Sequence, residues 1–160
     1  MTKRETDLEQ RLVPAWQQAI PNDRMAHLLK DTSRVLGKAL QAKLAKHDVL
    51  IGHWTYLRIL WQEDGLTKRQ ISHAAAVSEP TTFVALRAME ALDYIRLEQR
   101  ADNQKNIYVY LTATGKKLKK ALMPLAEKVN AQAFTGISAA DAATARRVLL
   151  KMMDNFSDAK

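Results

Sequence analysis

Small hydroxyl side chains and one arginine are grouped in a short stretch of the chain, at Ser78, Thr81, Thr82 and Arg87. If this stretch is helical, the hydroxyls lie near its N-terminus and the guanidinium lies further along. Side chains of these types, at these positions of a helix, contact base edges in the major groove of DNA. The group therefore predicts a base-reading surface.

Each of these side chains also has a purely structural interpretation. Ser78 can cap the helix, and either threonine can simply face solvent. Arg87 can form an ion pair with Glu90 or with Glu98, and the sequence leaves that choice open. The surrounding elements, a helix-turn-helix and a β-hairpin, favour DNA contact for the hydroxyls.

Three cations accompany this group. Lys68 and Arg69 begin the preceding short helix, and Lys105 lies in the predicted hairpin turn. Lysine and arginine at such places are suited to contact DNA phosphates, which fixes the register of a protein on the duplex. For any single one of them, a solvated surface is the alternative.

The overall charge agrees with a polyanionic partner. The formal charge is +8 and the pI is about 9.8, which favours nucleic acid. The excess is concentrated in residues 113–160, which carry nine basic and four acidic side chains, and there mainly in Lys116, Lys117, Lys119 and Lys120. Residues 65–112 carry six and five, so charge is consistent with DNA binding without locating it.

Several classes of protein are disfavoured. The chain has no cysteine, hence no disulfide or thiolate metal site, and its four histidines lack zinc-ligand spacing. It has five glycines but no Gly-x-Gly-x-x-Gly or phosphate loop, so we expect no enzyme, cofactor or metal. The polar N-terminus and the lack of an apolar run of about 20 residues predict a cytoplasmic protein without membrane contact.

Two amphipathic helices are predicted ahead of the base-reading group. Apolar residues recur every three or four positions through Met25–Leu44, which predicts a long helix from Asp23 to about residue 48. A second helix is predicted over residues 52–63. Residues 1–21 are expected to form a flexible arm, with a short helical piece around 12–19.

A helix-turn-helix follows. Thr67-Lys-Arg-Gln70 matches a capping box, and the helix behind it is expected to bury Ile71 and residues 74–76. Ser78-Glu79-Pro80 can start a second helix, since serine caps and proline is tolerated in the first turn. This helix is expected to reach residues 93–94, with Phe83, Leu86, Met89 and Leu92 in the core.

The hydrophobic period then changes to that of strands. Residues 95–98 alternate apolar and charged side chains, residues 101–106 are polar, and residues 107–111 alternate again. This predicts a hairpin with a turn at 101–106. Tyr108 and Tyr110 fall on its outer face, where we expect them to pack. A helix-turn-helix followed by a hairpin is a winged helix.

Two more helices are predicted after the hairpin. The first begins near Ala113 and is stopped by Gly136; the second opens at the capping pattern Ser138–Asp141. The last helix is expected to turn Ala145, Val148, Leu149, Met152 and Phe156 inward. Because these helices and the first one carry more apolar surface than a winged helix of about 50 residues can cover, we expect a second copy of the chain to cover it.

The predicted fold class is mainly α with a small β-hairpin: a winged helix-turn-helix flanked by N- and C-terminal dimerisation helices. The expected organisation is a flexible arm (1–21), an N-terminal dimerisation helix (22–48), a DNA-binding lobe (49–112) and C-terminal dimerisation helices (113–160).

The stretch from Leu66 to Leu122 resembles the MarR family of bacterial regulators. The motifs that carry the resemblance are Leu66-Thr67…Ile71, Val77-Ser-Glu-Pro-Thr-Thr82, Leu86-Arg-Ala-Met-Glu-Ala-Leu92, Tyr94-Ile95 and Leu111-Thr-Ala-Thr-Gly115. With the flanking helices, the resemblance covers about residues 22–156. Two departures stand out. Asp93 replaces the usual glycine before the wing, and the customary wing arginine is absent: depending on the alignment, its position is taken by Lys105, the expected substitute, or by Gln104.

The resemblance implies a homodimer that reads palindromic, double-stranded operator DNA, represses transcription, and is released by a small phenolic or aromatic acid. Such ligands usually bind where the dimerisation helices meet the DNA-binding lobe. On this chain the resemblance directs attention to His53, Trp54 and Arg58 as an aromatic wall and a cation. Each also has an ordinary structural role available, in the core, at a cap or in an ion pair.

Two other functions remain open. The nearly balanced charge of residues 65–112 is compatible with a winged helix that binds a protein, and an architectural protein would bind DNA without sequence preference. Activation instead of repression is also compatible with the sequence.

Overall fold

The computed structural model describes residues 25–101 and 103–156. Within this part of the chain lie six α-helices and three strands. They are α1 (Met25–Leu44), α2 (Ile51–Leu60), β1 (Leu66–Thr67), α3 (Lys68–Ala75), α4 (Glu79–Ala91), β2 (Ile95–Arg100), β3 (Asn103–Leu111), α5 (Ala113–Ala133) and α6 (Ala139–Asp154). The predicted arm, residues 1–21, and its helical piece at 12–19 lie outside the described residues.

The chain divides into two structural units, residues 1–35 and 36–160. The described part of the first unit is the beginning of α1, where the Arg34 guanidinium lies 3.4 Å from the Asp31 carboxylate and the Thr32 hydroxyl donates to the Leu28 carbonyl. The second unit contains the helix-turn-helix, the sheet and the last two helices. No helix of the described residues combines the length and apolarity needed to cross a membrane.

Helix starts follow from capping side chains. Thr67 and Gln70 form the complete capping box that the sequence predicts. The hydroxyls of Ser78, Thr112 and Ser138 each accept the backbone N–H three residues further on. Each such cap stabilises its helix by about 1 kcal/mol, so helices α3 to α6 begin where sequence chemistry places them.

The sheet is antiparallel with the order β1-β3-β2. Leu66 pairs with Val109, and Ile95 pairs with Leu111. The third strand, β1, was not predicted. The predicted polar turn at 101–106 is corrected as well, because β3 already begins at Asn103; backbone pairing does not require apolar side chains, so polar residues extend the ladder.

The core lies under the helix-turn-helix and the sheet. Its fully buried side chains come from almost every element of the second unit, and include Leu44, Val49, Leu57, Leu60, Ile71, Leu86, Met89, Ile95, Val109 and Leu122. Burying one leucine of this kind contributes about 1.5–3 kcal/mol. The core therefore fixes the positions of α2, α3, α4 and the wing, which is the hairpin of β2 and β3, relative to one another.

Several positions predicted as inward are exposed. Ala74 and Ala76 face solvent, since the helix ends there and Ala76 adopts a left-handed conformation with φ of 53°. Leu92, expected in the core, is 44% exposed. On α6, within the part of the chain that the structure describes, no residue is buried.

Candidate nucleic-acid interface

The two helices of the helix-turn-helix are joined by ionic and aromatic contacts at their N-termini. The Lys68 ammonium lies 3.4 Å from the Glu79 carboxylate and 5.5 Å from the centre of the Phe83 ring. Lys68 therefore ties the start of α3 to the first turns of α4 while remaining half-exposed. Arg69, the next residue, is exposed.

The N-terminus of α4 presents two hydroxyls. Ser78 accepts the Thr81 N–H at 3.4 Å, and the two side-chain oxygens lie 2.9 Å apart. Both residues are exposed. Ser78 thus caps the helix, as its structural interpretation required, and the pair also forms a polar surface at the helix start.

Thr82 is a correction to the predicted site. It is 0% exposed, and its hydroxyl accepts a hydrogen bond from the Tyr56 hydroxyl at 3.3 Å. Position 82 faces α2 because it is one helical turn before Leu86, which is also fully buried. Thr82 therefore belongs to the core and has no surface with which to contact a base.

Arg87 pairs with Glu90 rather than Glu98. Its guanidinium lies 2.8 Å from one Glu90 oxygen, while the other oxygen accepts the Leu97 backbone N–H at 3.0 Å. Glu90 consequently links α4 to β2. The Arg87 side chain remains more than half exposed, so its guanidinium keeps a surface available for a ligand.

A functional candidate that sequence reasoning missed lies at the end of β2. The Arg100 guanidinium stacks 4.0 Å over the Tyr108 ring and donates to the Tyr110 hydroxyl. Both tyrosines pack against arginine side chains of β2. Arg100 pairs with Asn103 across the hairpin, so an exposed arginine lies at the wing tip near the exposed Lys105.

The residues predicted to hold an effector are not gathered into one exposed site. His53 and Trp54 are 6% and 5% exposed, and Trp54 packs edge-on against Trp61. Burial lowers the pKa of the His53 imidazole below its usual 6.5, and among the described residues its buried Nδ1 has no hydrogen-bond partner. Arg58, by contrast, is exposed.

A cavity of about 350 Å³ lies beside Trp61 instead, lined by Leu60, Trp61, Gln62, Asp64, Leu111, Lys116 and Lys119. The Lys119 ammonium donates to the Trp61 carbonyl at 3.3 Å, and Lys116 lies 3.7 Å from Asp64. This cavity combines an indole with two ammonium groups.

Solved structures share this arrangement. A MarR transcriptional regulator from Methanosarcina mazei superposes with a TM-score of 0.72 at 19% identity, covering 81% of this chain and 96% of that one. Staphylococcus aureus MepR, solved in complex with DNA, gives 0.78 at 22% identity, with 85% and 100% covered. The chain has the MarR-type winged-helix fold. Bordetella bronchiseptica BpsR, whose DNA binding is regulated by 6-hydroxynicotinic acid, gives 0.75 at 18%, with 82% and 99% covered.

Curated relatives are helix-turn-helix transcriptional regulators, whereas no protein-family model matches the chain. The transcriptional regulator TtmR of Methylorubrum extorquens is 25% identical over 126 residues, which are 79% of this chain and 62% of that protein. A regulator of Staphylococcus aureus is 30% identical over 81 residues, 51% and 56% of the two chains. The chain thus spans between half and two thirds of the length of these relatives, which are transcriptional regulators rather than enzymes.

The motif Leu111-Thr-Ala-Thr-Gly115, which follows the wing, positions the neighbouring elements in this chain. Thr112 caps α5 and donates its hydroxyl to the carbonyls of Asp93 and Tyr94. Asp93 adopts a left-handed φ of 56°, as its place in the usual glycine position predicts, and accepts the Thr114 hydroxyl. A Cβ at Gly115 would lie 2.0 Å from the Tyr94 carbonyl oxygen. The motif therefore fixes how α4, the wing and α5 meet.

Proposed function

We propose that this chain binds operator DNA as a homodimer and represses transcription by occupying a promoter. One observation carries the proposal: α4 presents an exposed row from Ser78 and Thr81 to Arg87, with Lys68 and Arg69 beside its start. That row lies on the MarR-type fold, of which MepR has been solved with DNA. In this interpretation α4 is the recognition helix.

The electrostatics of α4 support DNA as the partner. The helix carries two carboxylates, and both are engaged: Glu79 pairs with Lys68 and Glu90 with Arg87. Phosphates approaching α4 would therefore meet cations at its edges, without an uncompensated negative charge between them. Arg69, and Arg100 with Lys105 at the wing tip, are proposed to contact the backbone on either side.

Exposed apolar surface supports a dimer. Phe134 and Ile137, at the end of α5, and Val148, Leu149 and Leu150 on α6 are each 38–49% exposed. Phe134, Leu149 and Leu150 line one cavity, and a cluster of exposed apolar side chains of this kind is typical of a protein interface. A twofold dimer would place two recognition helices about one turn of DNA apart, which is the reason to propose a palindromic operator.

We propose that a small aromatic acid weakens DNA binding. Support comes from BpsR, which responds to 6-hydroxynicotinic acid, and from the cavity that combines Trp61 with Lys116 and Lys119. In this cavity the indole of Trp61 is partly exposed and both lysines are exposed. In the predicted set, by contrast, His53 and Trp54 are buried and only Arg58 is exposed. A ligand there regulates binding only if it favours one conformation over the other.

The test is selection of bound sequences from a random DNA library, followed by titration of the recovered sequence at several salt concentrations. We expect an inverted repeat with half-sites about one helical turn apart, and an affinity that falls steeply with salt as phosphate counterions are released. Replacing Arg69 with alanine should weaken binding to every sequence about equally, since phosphate contacts carry no sequence information.

Two outcomes would contradict the proposal. Salt-sensitive binding without sequence preference would make the protein an architectural DNA-binding protein. The absence of DNA binding by the folded dimer would favour a winged helix that binds another protein. In vitro transcription from a promoter that contains the recovered repeat then distinguishes repression from activation.

A further inference from the structure

Val84 is an exposed apolar side chain in the middle of the recognition helix. It is 71% exposed, whereas Leu86 and Met89 of the same helix are fully buried. The core therefore gains almost nothing from this valine, although full burial of such a side chain would contribute about 1.5–3 kcal/mol. Its place on the proposed DNA-facing side makes it a candidate for an apolar contact with the ligand.

Val84 lies in a row of small, uncharged side chains. Thr81 precedes it by one turn, and Ala88 and Ala91 follow at the spacing that keeps residues on one helix face; all are exposed. Small side chains allow a helix backbone to approach a groove floor closely. The charges of α4 lie beside this row, on Glu79, Arg87 and Glu90, and both carboxylates are paired.

The major groove of DNA presents one apolar group, the C5-methyl of thymine. We propose that Val84 contacts a thymine methyl in each operator half-site and thereby selects an A·T pair at that position. This inference rests on the proposed function. It identifies Val84 as a specificity-determining residue, alongside the hydroxyls of Ser78 and Thr81, which can donate to or accept from base edges.

The experiment removes one methyl group at a time. In the selected operator, each thymine of both half-sites is replaced by deoxyuridine, which lacks only the C5-methyl, and binding is measured by fluorescence anisotropy. For the wild-type protein we expect one symmetric position at which the substitution weakens binding about fourfold per half-site, the effect of one buried methyl group. For Val84→Ala we expect weaker binding to the thymine operator and no further loss with deoxyuridine at that position.

Leu92→Ala is the matched control. Leu92 is also an exposed apolar residue, at the C-cap of the same helix, but it lies eight residues beyond Val84, about 12 Å along the helix axis, so this variant should keep the sensitivity to deoxyuridine at the position that Val84 contacts. Because Val84 is exposed and alanine favours helix, the variant should fold, which circular dichroism verifies.

Three outcomes would overturn the inference. Val84→Ala could keep the wild-type sensitivity at every thymine, or the wild-type protein could be insensitive to every thymine methyl; either leaves the proposed function intact. If unmodified DNA yields no preferred sequence, the proposed function itself fails. That result is obtained first, so the two failures are distinguishable.

Discussion

Gly115 lies in the first turn of α5, where this helix passes Tyr94 just after the end of α4. Only a residue without a side chain fits between the two backbones there. A Cβ at this position would lie 2.0 Å from the Tyr94 carbonyl oxygen, a backbone atom that cannot move aside independently. We expect Gly115→Ala to lower the free energy of unfolding by about 3 kcal/mol, at the upper end of overpacking effects. Urea denaturation measures the change.

Gly52→Ala is the control for Gly115→Ala. Gly52 also lies in the first turn of a helix, but nothing lies within 4 Å of the Cβ that alanine would add. This variant should show no loss of stability, because alanine is the better helix former. A Gly115→Ala protein as stable as wild type would contradict the close approach of α5 to Tyr94.

His53 should make stability depend on pH. Burial lowers the pKa of its imidazole in the folded state, so the unfolded chain binds the proton more readily as the pH falls below 6.5. Its contribution to stability is therefore complete above that pH and is lost progressively on acidification. We expect His53→Leu to reduce the slope of the unfolding free energy against pH between about 6.5 and 5.

The exposed His73 supplies the comparison for His53. His73→Gln should leave that slope unchanged, since no buried imidazole is removed. Equal slopes for wild type and His53→Leu would show that His53 is protonated as easily in the folded protein as in the unfolded chain.

For single residues, the sequence predicted the chemical role of a side chain better than whether that side chain faces the core or the solvent. Ser78 could be recognised as a cap, because capping depends on three neighbouring residues. The burial of Thr82 could not, because it depends on Tyr56, 26 residues earlier in the chain. The sequence also did not identify Val84 as a surface residue. A valine in a helix usually faces the core, and only the packed structure shows that this one faces outward.

The wing is the element whose side chains departed most from expectation. The two strands of the wing were predicted from the alternation of their apolar and charged side chains. The position of Arg100 at the hairpin tip was not predicted, because it depends on the strand register, which pairs Arg100 with Asn103. The short strand β1 was missed because two residues carry no periodicity. Caps and hydrophobic periods predicted the helices well, since both signals are local.

Arg100 should contact DNA through the wing. Stacking on Tyr108 and bonding to the Tyr110 hydroxyl restrict its rotamers, so less conformational entropy is lost when it binds a phosphate or a groove edge. We expect Arg100→Gln to weaken operator binding about tenfold and to reduce the slope of log affinity against log salt by about one.

Arg96 provides a matched control on the same strand and face. It lies four residues nearer the wing base, stacks 4.7 Å over Tyr110 and pairs with Glu98. Arg96→Gln should change neither the affinity nor the salt slope. If the two variants behave alike, the tip arginine makes no contact of its own and the aromatic stacking serves only to stiffen the hairpin.

For the molecule as a whole, the apolar side chains of α6 remain largely exposed among the described residues. No residue of α6 is buried, and Phe156 beyond its end is 81% exposed. The sequence pattern predicted that Val148 and Leu149 face inward, and among the described residues both are exposed. Periodicity predicts an apolar helix face but does not reveal what covers it. A cavity of about 550 Å³ lies between the end of α5 and α6, lined in part by Phe134 and Leu149, and it belongs to the surface that we propose a second copy covers.

On the proposed dimer, Leu149→Asp should therefore give a monomer. A carboxylate at the centre of an apolar interface loses its hydration without gaining a partner, which disfavours association strongly. Since Leu149 is exposed in the single chain, the monomer should keep its helix content. Sedimentation velocity measures the mass, and Val84→Asp, the same change at an exposed valine on the recognition helix, should remain dimeric. A persistent Leu149→Asp dimer would place the interface elsewhere, whereas a monomer with weakened operator binding would link dimerisation to the spacing of the two recognition helices.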